Sequence, residues 1–167
     1  MKRRGQIDVA VVGGGVVGAA CALVLAREGL DVALVEGREP TRWSPAQPDL
    51  RVYAFAPDNA ALLDSLGVWP SVLERRAQAY RRMTVWDAAG GEPLQFDADA
   101  LGRAQLGWIV ENNLLAERLW VALDAAGVSV HAGSAVQEME QDVDDARLRL
   151  VDGSRLQGRL LVAADGA

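Results

Sequence analysis

The sequence is short of the residues that most often announce chemistry. Cys21 is its only cysteine and His131 its only histidine, which excludes an internal disulfide, a cysteine-rich metal site and a metal centre built on clustered histidines. Cys21 falls among Ala20, Ala22 and Leu25 with nothing electropositive beside it, so it reads as a small buried apolar residue and not as a reactive thiol. His131 closes a short apolar run, Val128-Ser129-Val130, and reads as a strand-end residue. No apolar run is long enough to span a bilayer. The Met1-Lys2-Arg3-Arg4 start precedes a strand with an acid inside it and a glycine cluster, so it does not read as a signal peptide. Positive charge is also sparse: 17 Lys and Arg stand against 23 Asp and Glu, for a net charge of −6. With a pI near 4.8 and scattered arginines, a nucleic-acid-binding surface is not expected.

What is present begins at Ile7. Ile7-Asp8-Val9-Ala10-Val11-Val12 is an apolar run too short for a helix, followed at once by Gly13-Gly14-Gly15-Val16-Val17-Gly18 and an Ala- and Leu-rich run to Glu28, closed by Gly29. That order predicts a strand, a turn and a helix. Gly13 permits the tight turn, Gly15 lets the backbone approach a pyrophosphate, and Gly18 lets the helix pack closely. N–H groups at the start of the helix then face the phosphates. A second strand, Val32 to Val35, ends at Glu36, placed for a carboxylate to accept hydrogen bonds from a ribose. An acid there, with no 2′-phosphate-binding base in its place, favours FAD or NAD over NADP.

Gly37 to Asp49 carries Pro40, Pro45 and Pro48 and reads as a long connection. Leu50-Arg51-Val52-Tyr53-Ala54 follows, then a helix from Pro57 to Leu66 closed by Gly67, and a short helix from Pro70. Met83 to Asp87 and Leu94 to Phe96 flank the turn Ala88-Ala89-Gly90-Gly91 as an antiparallel pair. Gly107 to Val110 is a strand leading to Glu111-Asn112-Asn113, where Asn112 or Asn113 is a suitable N-cap for a helix from Leu114 to Ala126, ended by Gly127. Val128 to His131 is expected to rejoin the first sheet in parallel. Ala135 to Gln141, Arg147 to Val151 and Arg155 to Leu156 predict a three-stranded antiparallel meander with acidic and Asp-Gly turns. Leu160 to Ala164 has no polar alternation and is expected to be a parallel strand buried on both faces. It delivers Asp165-Gly166 at its carboxyl end, where open α/β sheets bind ligands.

This order of GxGxxG, acid, meander and Asp-Gly resembles the FAD-binding part of the class A flavoprotein aromatic hydroxylases. Leu50 to Ala54, Leu62-Leu63-Asp64-Ser65-Leu66-Gly67-Val68-Trp69, Val85-Trp86-Asp87 and Val110-Glu111-Asn112 are similar to the ubiquinone-biosynthesis branch of that family. The resemblance implies an α/β, Rossmann-like FAD-binding fold with a parallel sheet, the meander, and part of a substrate-domain sheet beginning at about residues 80–110. It implies FAD as cofactor, NAD(P)H as transient electron donor, and O2 and a polyprenylated phenol as co-substrates. Gly13, Gly15, Val17 and Gly18 would hold the pyrophosphate and Glu36, followed by Arg38, the adenosine ribose. Arg51 would lie beside the pyrophosphate and ribityl chain. Glu111 and Asn112 would make polar contacts to the cofactor, with Asn112 equally suited to capping its helix. Val136 would touch the adenine through its main chain, and Asp165 and Gly166 match the family's Asp-Gly motif. No residue is assigned as catalytic acid or base.

Most of Trp43, Trp69, Trp86, Trp108 and Trp120 are expected to be ordinary core or partly buried aromatics, with lining of a path for a prenyl tail as the alternative. In the family a Ser and an Arg follow the Asp-Gly motif and a Gly-Asp motif comes much later, so the chain is expected to be an N-terminal portion, inactive by itself. A cytoplasmic location is expected, with peripheral contact to a membrane or to a ubiquinone-biosynthesis complex in the whole protein. An NAD-dependent dehydrogenase domain and a non-catalytic nucleotide-binding module are the alternatives, the first disfavoured by the meander and the terminal Asp-Gly.

Overall fold

The computed structural model describes residues 6–166. Their contacts divide the chain into two units, one comprising the residues up to Trp43 together with those from Leu115 onward, the other Ser44–Leu114.

The first unit is built on a six-stranded sheet in the order β8-β2-β1-β11-β10-β9. Strand β1 (Ile7–Val12) lies between β2 (Val32–Glu36) and β11 (Arg155–Ala163), parallel to both. Strand β8 (Ser129–Ala132) joins the far side of β2, also in parallel, as its position after a helix predicts. The antiparallel meander is present as β9 (Val136–Gln141), β10 (Ala146–Leu150) and the first part of β11. It is not a separate layer. Its third strand and the expected buried strand at 160–164 are one nine-residue strand, which pairs with β10 up to Gly158 and with β1 as far as Ala163. The expectation of burial on both faces fails for this strand: Leu160 is 54% exposed. None of the residues from Leu160 to Ala163 is buried, and beyond Gly158 no strand among the described residues pairs with the other edge of β11.

Helix α1 (Val16–Arg27) lies against β1 and β2 through Gly18, Ala19, Ala22 and Leu23, all buried. Cys21, on the same helix, is only half-buried because it falls outside that small-residue stripe. Helix α4 (Asn112–Ala125) begins at the end of the second unit and buries Leu115, Leu119 and Leu123. On the sheet, Ala10, Val35, Leu148 and Leu150 form a buried cluster joined by Ile7, Val12, Val136, Leu156 and Leu161.

The second unit holds a three-stranded antiparallel sheet, β3-β7-β4, made of Val52–Phe55, Gly107–Glu111 and Ala77–Tyr80. Of these, β4 carries no alternation that marks it in the sequence. The expected hairpin is present as β5 (Arg82–Val85) and β6 (Leu94–Asp97). Helices α2 (Pro57–Ser65) and α3 (Trp69–Leu73) each carry a proline in the first turn. Tyr53, Phe55, Trp69 and Trp108 form a run of ring contacts, ending in an edge-on Trp69–Trp108 pair with centroids 5.2 Å apart. Trp69 is therefore core, whereas Trp86 is 71% exposed.

Gly29, Gly67 and Gly127, the three expected helix stops, all have positive φ. After each, the next N–H reaches back to a carbonyl in the last turn, as Leu30 does to Leu25, Val68 to Leu63 and Val128 to Leu123. No helix among the described residues is long and apolar enough to cross a membrane. The sheet core sets a measurable contrast. Leu34→Ala, at a fully buried position of β2, is expected to lower unfolding free energy by about 2–5 kcal/mol. Leu160→Ala should change it by no more than about 0.5 kcal/mol, both read by urea denaturation.

Candidate cofactor site

The register of the parallel strands decides what meets at their carboxyl ends. Val12 is level with Val35 on one side and with Ala163 on the other, so the residues that follow, Gly13, Glu36 and Ala164-Asp165, converge. Gly13 has φ +109°, and a Cβ added there would lie 2.2 Å from the Ala164 carbonyl oxygen and 2.6 Å from Asp165 N. Glycine is thus required at this turn twice over, by its backbone and by its neighbour. At Gly18 an added Cβ would stand 1.9 Å from the Gly13 carbonyl oxygen, which is the close packing expected of the last fingerprint glycine.

Gly15 is different. Its φ is −65° and ψ 179°, ordinary extended backbone, and it is the N-cap of α1 with no side-chain cap. An added Cβ would meet nothing within 4 Å. Among the described glycines it alone has neither a positive φ nor a neighbour that an added Cβ would touch. Its N–H makes no hydrogen bond among the described residues, and the first N–H groups of the helix are of the kind that an anion satisfies. The space in front of Gly15 is therefore open, and a side chain there would fill it without touching the protein.

Glu36 closes the other end of this arrangement. One carboxylate oxygen accepts the Gly14 N–H at 2.6 Å and the other the Arg38 N–H at 3.0 Å, which leaves lone pairs on both for ribose hydroxyls. Arg38 thus contributes its main chain, and its side chain is exposed. Val17, 74% exposed, lies in the first turn of α1. The segment before β9 comes up to the end of β2, where the Ser134 N–H donates to the Glu36 carbonyl at 3.1 Å and an added Cβ at Gly37 would lie 3.3 Å from the Ala135 Cβ. Val136 follows, half-buried against the sheet cluster. Asp165 and Gly166 are exposed, Gly166 with φ +82°. A cavity of about 420 Å³ on the meander is a different feature. Two of its three arginines are matched, Arg149 to Glu138 and Arg147 to Asp145, and the charge of the third, Arg155, also acts on Glu138, so it reads as a ladder of charge pairs.

Arg51, Glu111 and Asn112 belong to the second unit and form their own group. The Asn112 N–H donates to the Arg51 carbonyl at 2.9 Å, and the Arg51 guanidinium reaches Asn113 Oδ1 at 3.5 Å. Glu111 is buried, and its carboxylate accepts from Arg76 at 2.8 Å and from the Asp49 N–H at 2.9 Å, so this side chain is committed within its unit. Asn112 is not the helix cap. Helix α4 begins at Asn112 itself, and the Asn113 N–H is accepted by Asp49 at 3.1 Å. The cap comes from a residue 64 positions away, beyond any local capping pattern. Asn112 instead accepts from the Tyr53 hydroxyl at 3.1 Å. The N–H of Arg51 is the main cause holding the Asp49 carboxyl below its usual range, helped by the Asn113 N–H and the Arg51 charge and opposed by burial.

With this geometry in view, a family model described as an FAD binding domain matches residues 6–167. The chain belongs to that family. The 3-demethoxyubiquinol 3-hydroxylase of Escherichia coli (strain K12) is 36% identical over 162 residues, 96% of this chain and 41% of that protein. Human mitochondrial ubiquinone biosynthesis monooxygenase COQ6 is 33% identical over 175 residues, 95% of this chain and 37% of that protein. Among solved structures, p-nitrophenol 4-monooxygenase PnpA from Pseudomonas putida DLL-E4 matches with a TM-score of 0.75 at 26% identity, covering 100% of this chain and 42% of that one. The flavin-dependent monooxygenase PieE, solved with FAD and substrate, shares the fold at 22% identity, with a TM-score of 0.76 over 97% of this chain and 30% of that one. The resemblance to flavoprotein hydroxylases, and to their ubiquinone branch, is borne out. The chain spans about two-fifths of the length of the curated relatives it matches.

The pH dependence of the Asp49 cap follows from its direction. A carboxyl held below its unfolded value contributes stability above that value and loses it as pH falls through the folded one. The stability difference between the unsubstituted chain and Asp49→Asn should therefore be constant above about pH 4 and shrink towards acid, as measured by urea denaturation at stepped pH. A difference independent of pH through that range would contradict the ionised cap.

Proposed function

We propose that this chain forms the adenosine and pyrophosphate side of the FAD site in an NAD(P)H-dependent aromatic-ring hydroxylase of ubiquinone biosynthesis. Gly15 carries the reading. A glycine that neither its own backbone nor its own neighbours require, at the N-terminus of a helix, is explained by something outside the chain that comes close to it. The family supplies FAD as that partner, and relatives named as ubiquinone hydroxylases supply the substrate class, a polyprenylated phenol, with O2 as co-substrate.

When bound, FAD would supply the redox chemistry, taking electrons from NADH or NADPH and passing them to O2 so that one oxygen atom enters the ring. This chain's residues bind and orient. The Gly15 N–H and the first turn of α1, including Val17, receive the pyrophosphate. Glu36 accepts from the adenosine ribose, with Arg38 N–H fixing the carboxylate. Val136 offers main-chain atoms to the adenine, and Asp165 and Gly166 border the fingerprint from the end of β11. The family resemblance assigns Arg51 to the phosphate or ribityl portion, and within its own unit its loop is set by Asn112 and the Glu111 segment. The reading carries with it a cytoplasmic location with peripheral contact to a membrane or a partner complex, where a polyprenyl tail is met.

FAD titration of the full-length protein, followed by flavin fluorescence, tests the site. Gly15→Val should keep its circular dichroism and lose FAD affinity, because the branched side chain occupies free space and not protein. Normal FAD occupancy in that variant would remove the phosphate-cradle assignment. Glu36→Ala should weaken FAD binding by at least about tenfold, since each lost charge-assisted hydrogen bond contributes about 1.5–3 kcal/mol. The substrate is tested by mass spectrometry of prenylated phenols in cells with and without an intact gene. Loss of a product one oxygen richer is expected, and an unchanged phenol pool would withdraw the ubiquinone assignment while leaving the flavin site standing.

A further inference from the structure

Gly14 occupies the fingerprint position that nucleotide binding leaves open, yet the chain holds it on both sides. Its φ is not positive, so its backbone does not call for glycine. An added Cβ, however, would lie 2.6 Å from Trp120 Cζ2 and 2.8 Å from the Glu36 Cβ. The Trp120 indole Nε1–H donates to the Gly14 carbonyl at 2.8 Å, across 106 residues of sequence, while the Gly14 N–H is taken by Glu36 at 2.6 Å. Both polar groups of Gly14 are consumed by the chain. The next N–H, that of Gly15, makes no hydrogen bond among the described residues.

We propose that Trp120 is a positioning residue of the pyrophosphate site. Its indole fixes the 14–15 peptide so that the Gly15 N–H is presented to the phosphates, and Gly14 is glycine to admit the indole. A trans peptide is planar, with its C=O and N–H pointing in opposite directions, and the described chain has no cis bonds. A carbonyl held on the Trp120 side therefore turns the Gly15 N–H to the other side, away from protein. The indole itself cannot wander, because Trp120 stands on α4 directly after Leu119, which with Leu115 and Leu123 is fully buried. A partly buried tryptophan commonly finds some acceptor for its N–H. The choice of a loop carbonyl whose own peptide carries the exposed phosphate-facing donor gives this bond a consequence beyond satisfying the indole.

The proposal rests on the pyrophosphate reading of Gly15, and the test separates the two. The 167-residue chain, labelled with nitrogen-15, is titrated with ADP and with adenosine, which shares the ribose but lacks the phosphates. ADP shifts centred on Gly13 to Gly18 are expected in the unsubstituted chain; shifts confined elsewhere would overturn the pyrophosphate reading and the role of Trp120 with it. Trp120→Phe removes the donor and keeps a ring, and should weaken ADP about three- to tenfold, the range of a single net hydrogen bond, while adenosine affinity stays within about twofold of the parent. Equal losses for both ligands, or an unchanged ADP affinity, would overturn the positioning role alone. Gly14→Ala should lose ADP binding, and Trp120→Phe combined with it should recover part of that loss, because a phenyl ring lacks Cζ2 and the overlap it creates. If Gly14→Ala does not fold, recovery of folding in the double variant supports the same packing relation, and the ADP-to-adenosine ratio of Trp120→Phe still decides the proposal.

Discussion

Strands β2, β1 and β11 run parallel and finish level, Val35 beside Val12 and Val12 beside Ala163, and the proposed cofactor site lies just past that line. The residues that continue the three strands act differently. Gly13 turns the chain, Glu36 holds the loop from one side, and Ala164-Asp165 bounds it from the other. A shift of one residue in either pairing would reverse every side chain on the slipped strand and pull Glu36 or Asp165 out of line with the fingerprint. The buried cluster of Ala10, Val35, Leu148 and Leu150 therefore does more than stabilise. It fixes the register on which the chemistry depends.

Much of this was legible in the sequence because the signals are local. The fingerprint, the acid at the end of β2, the three glycine helix stops and the Asp-Gly turns are each read within a few residues of where they act. Their spacing also carried the resemblance to flavoprotein hydroxylases. The distinction among the glycines was not legible. Gly13 and Gly18 answer to the chain's own backbone and packing, Gly14 to an indole and a carboxylate, and Gly15 to open space, a difference only three dimensions reveal.

Most of what escaped the sequence shares one cause, separation along the chain. Asp49 caps a helix 64 residues later, so Asn112 and Asn113 drew the local reading. Arg76 pairs with Glu111 across 35 residues and fixes a carboxylate that motif alone assigned to the cofactor. Trp120, one tryptophan among five, gave no sign that its N–H would reach Gly14. The continuity of β11 was hidden for a different, local reason: Gly158-Arg159 interrupts the apolar pattern between two segments that form one strand.

The pairing of β1 with β11 also joins the two ends of the described chain, Ile7 lying beside Gly158. Contacts so distant in sequence form late, since a long loop must close before they are rewarded. During synthesis the fingerprint emerges first, yet one edge of β1 stays open until nearly the whole of this segment has followed it. Until then the exposed strand edge invites wrong partners. The Gly13 turn, which leans on Ala164, is thus made before the β11 end of the proposed nucleotide site and takes its final shape only with it.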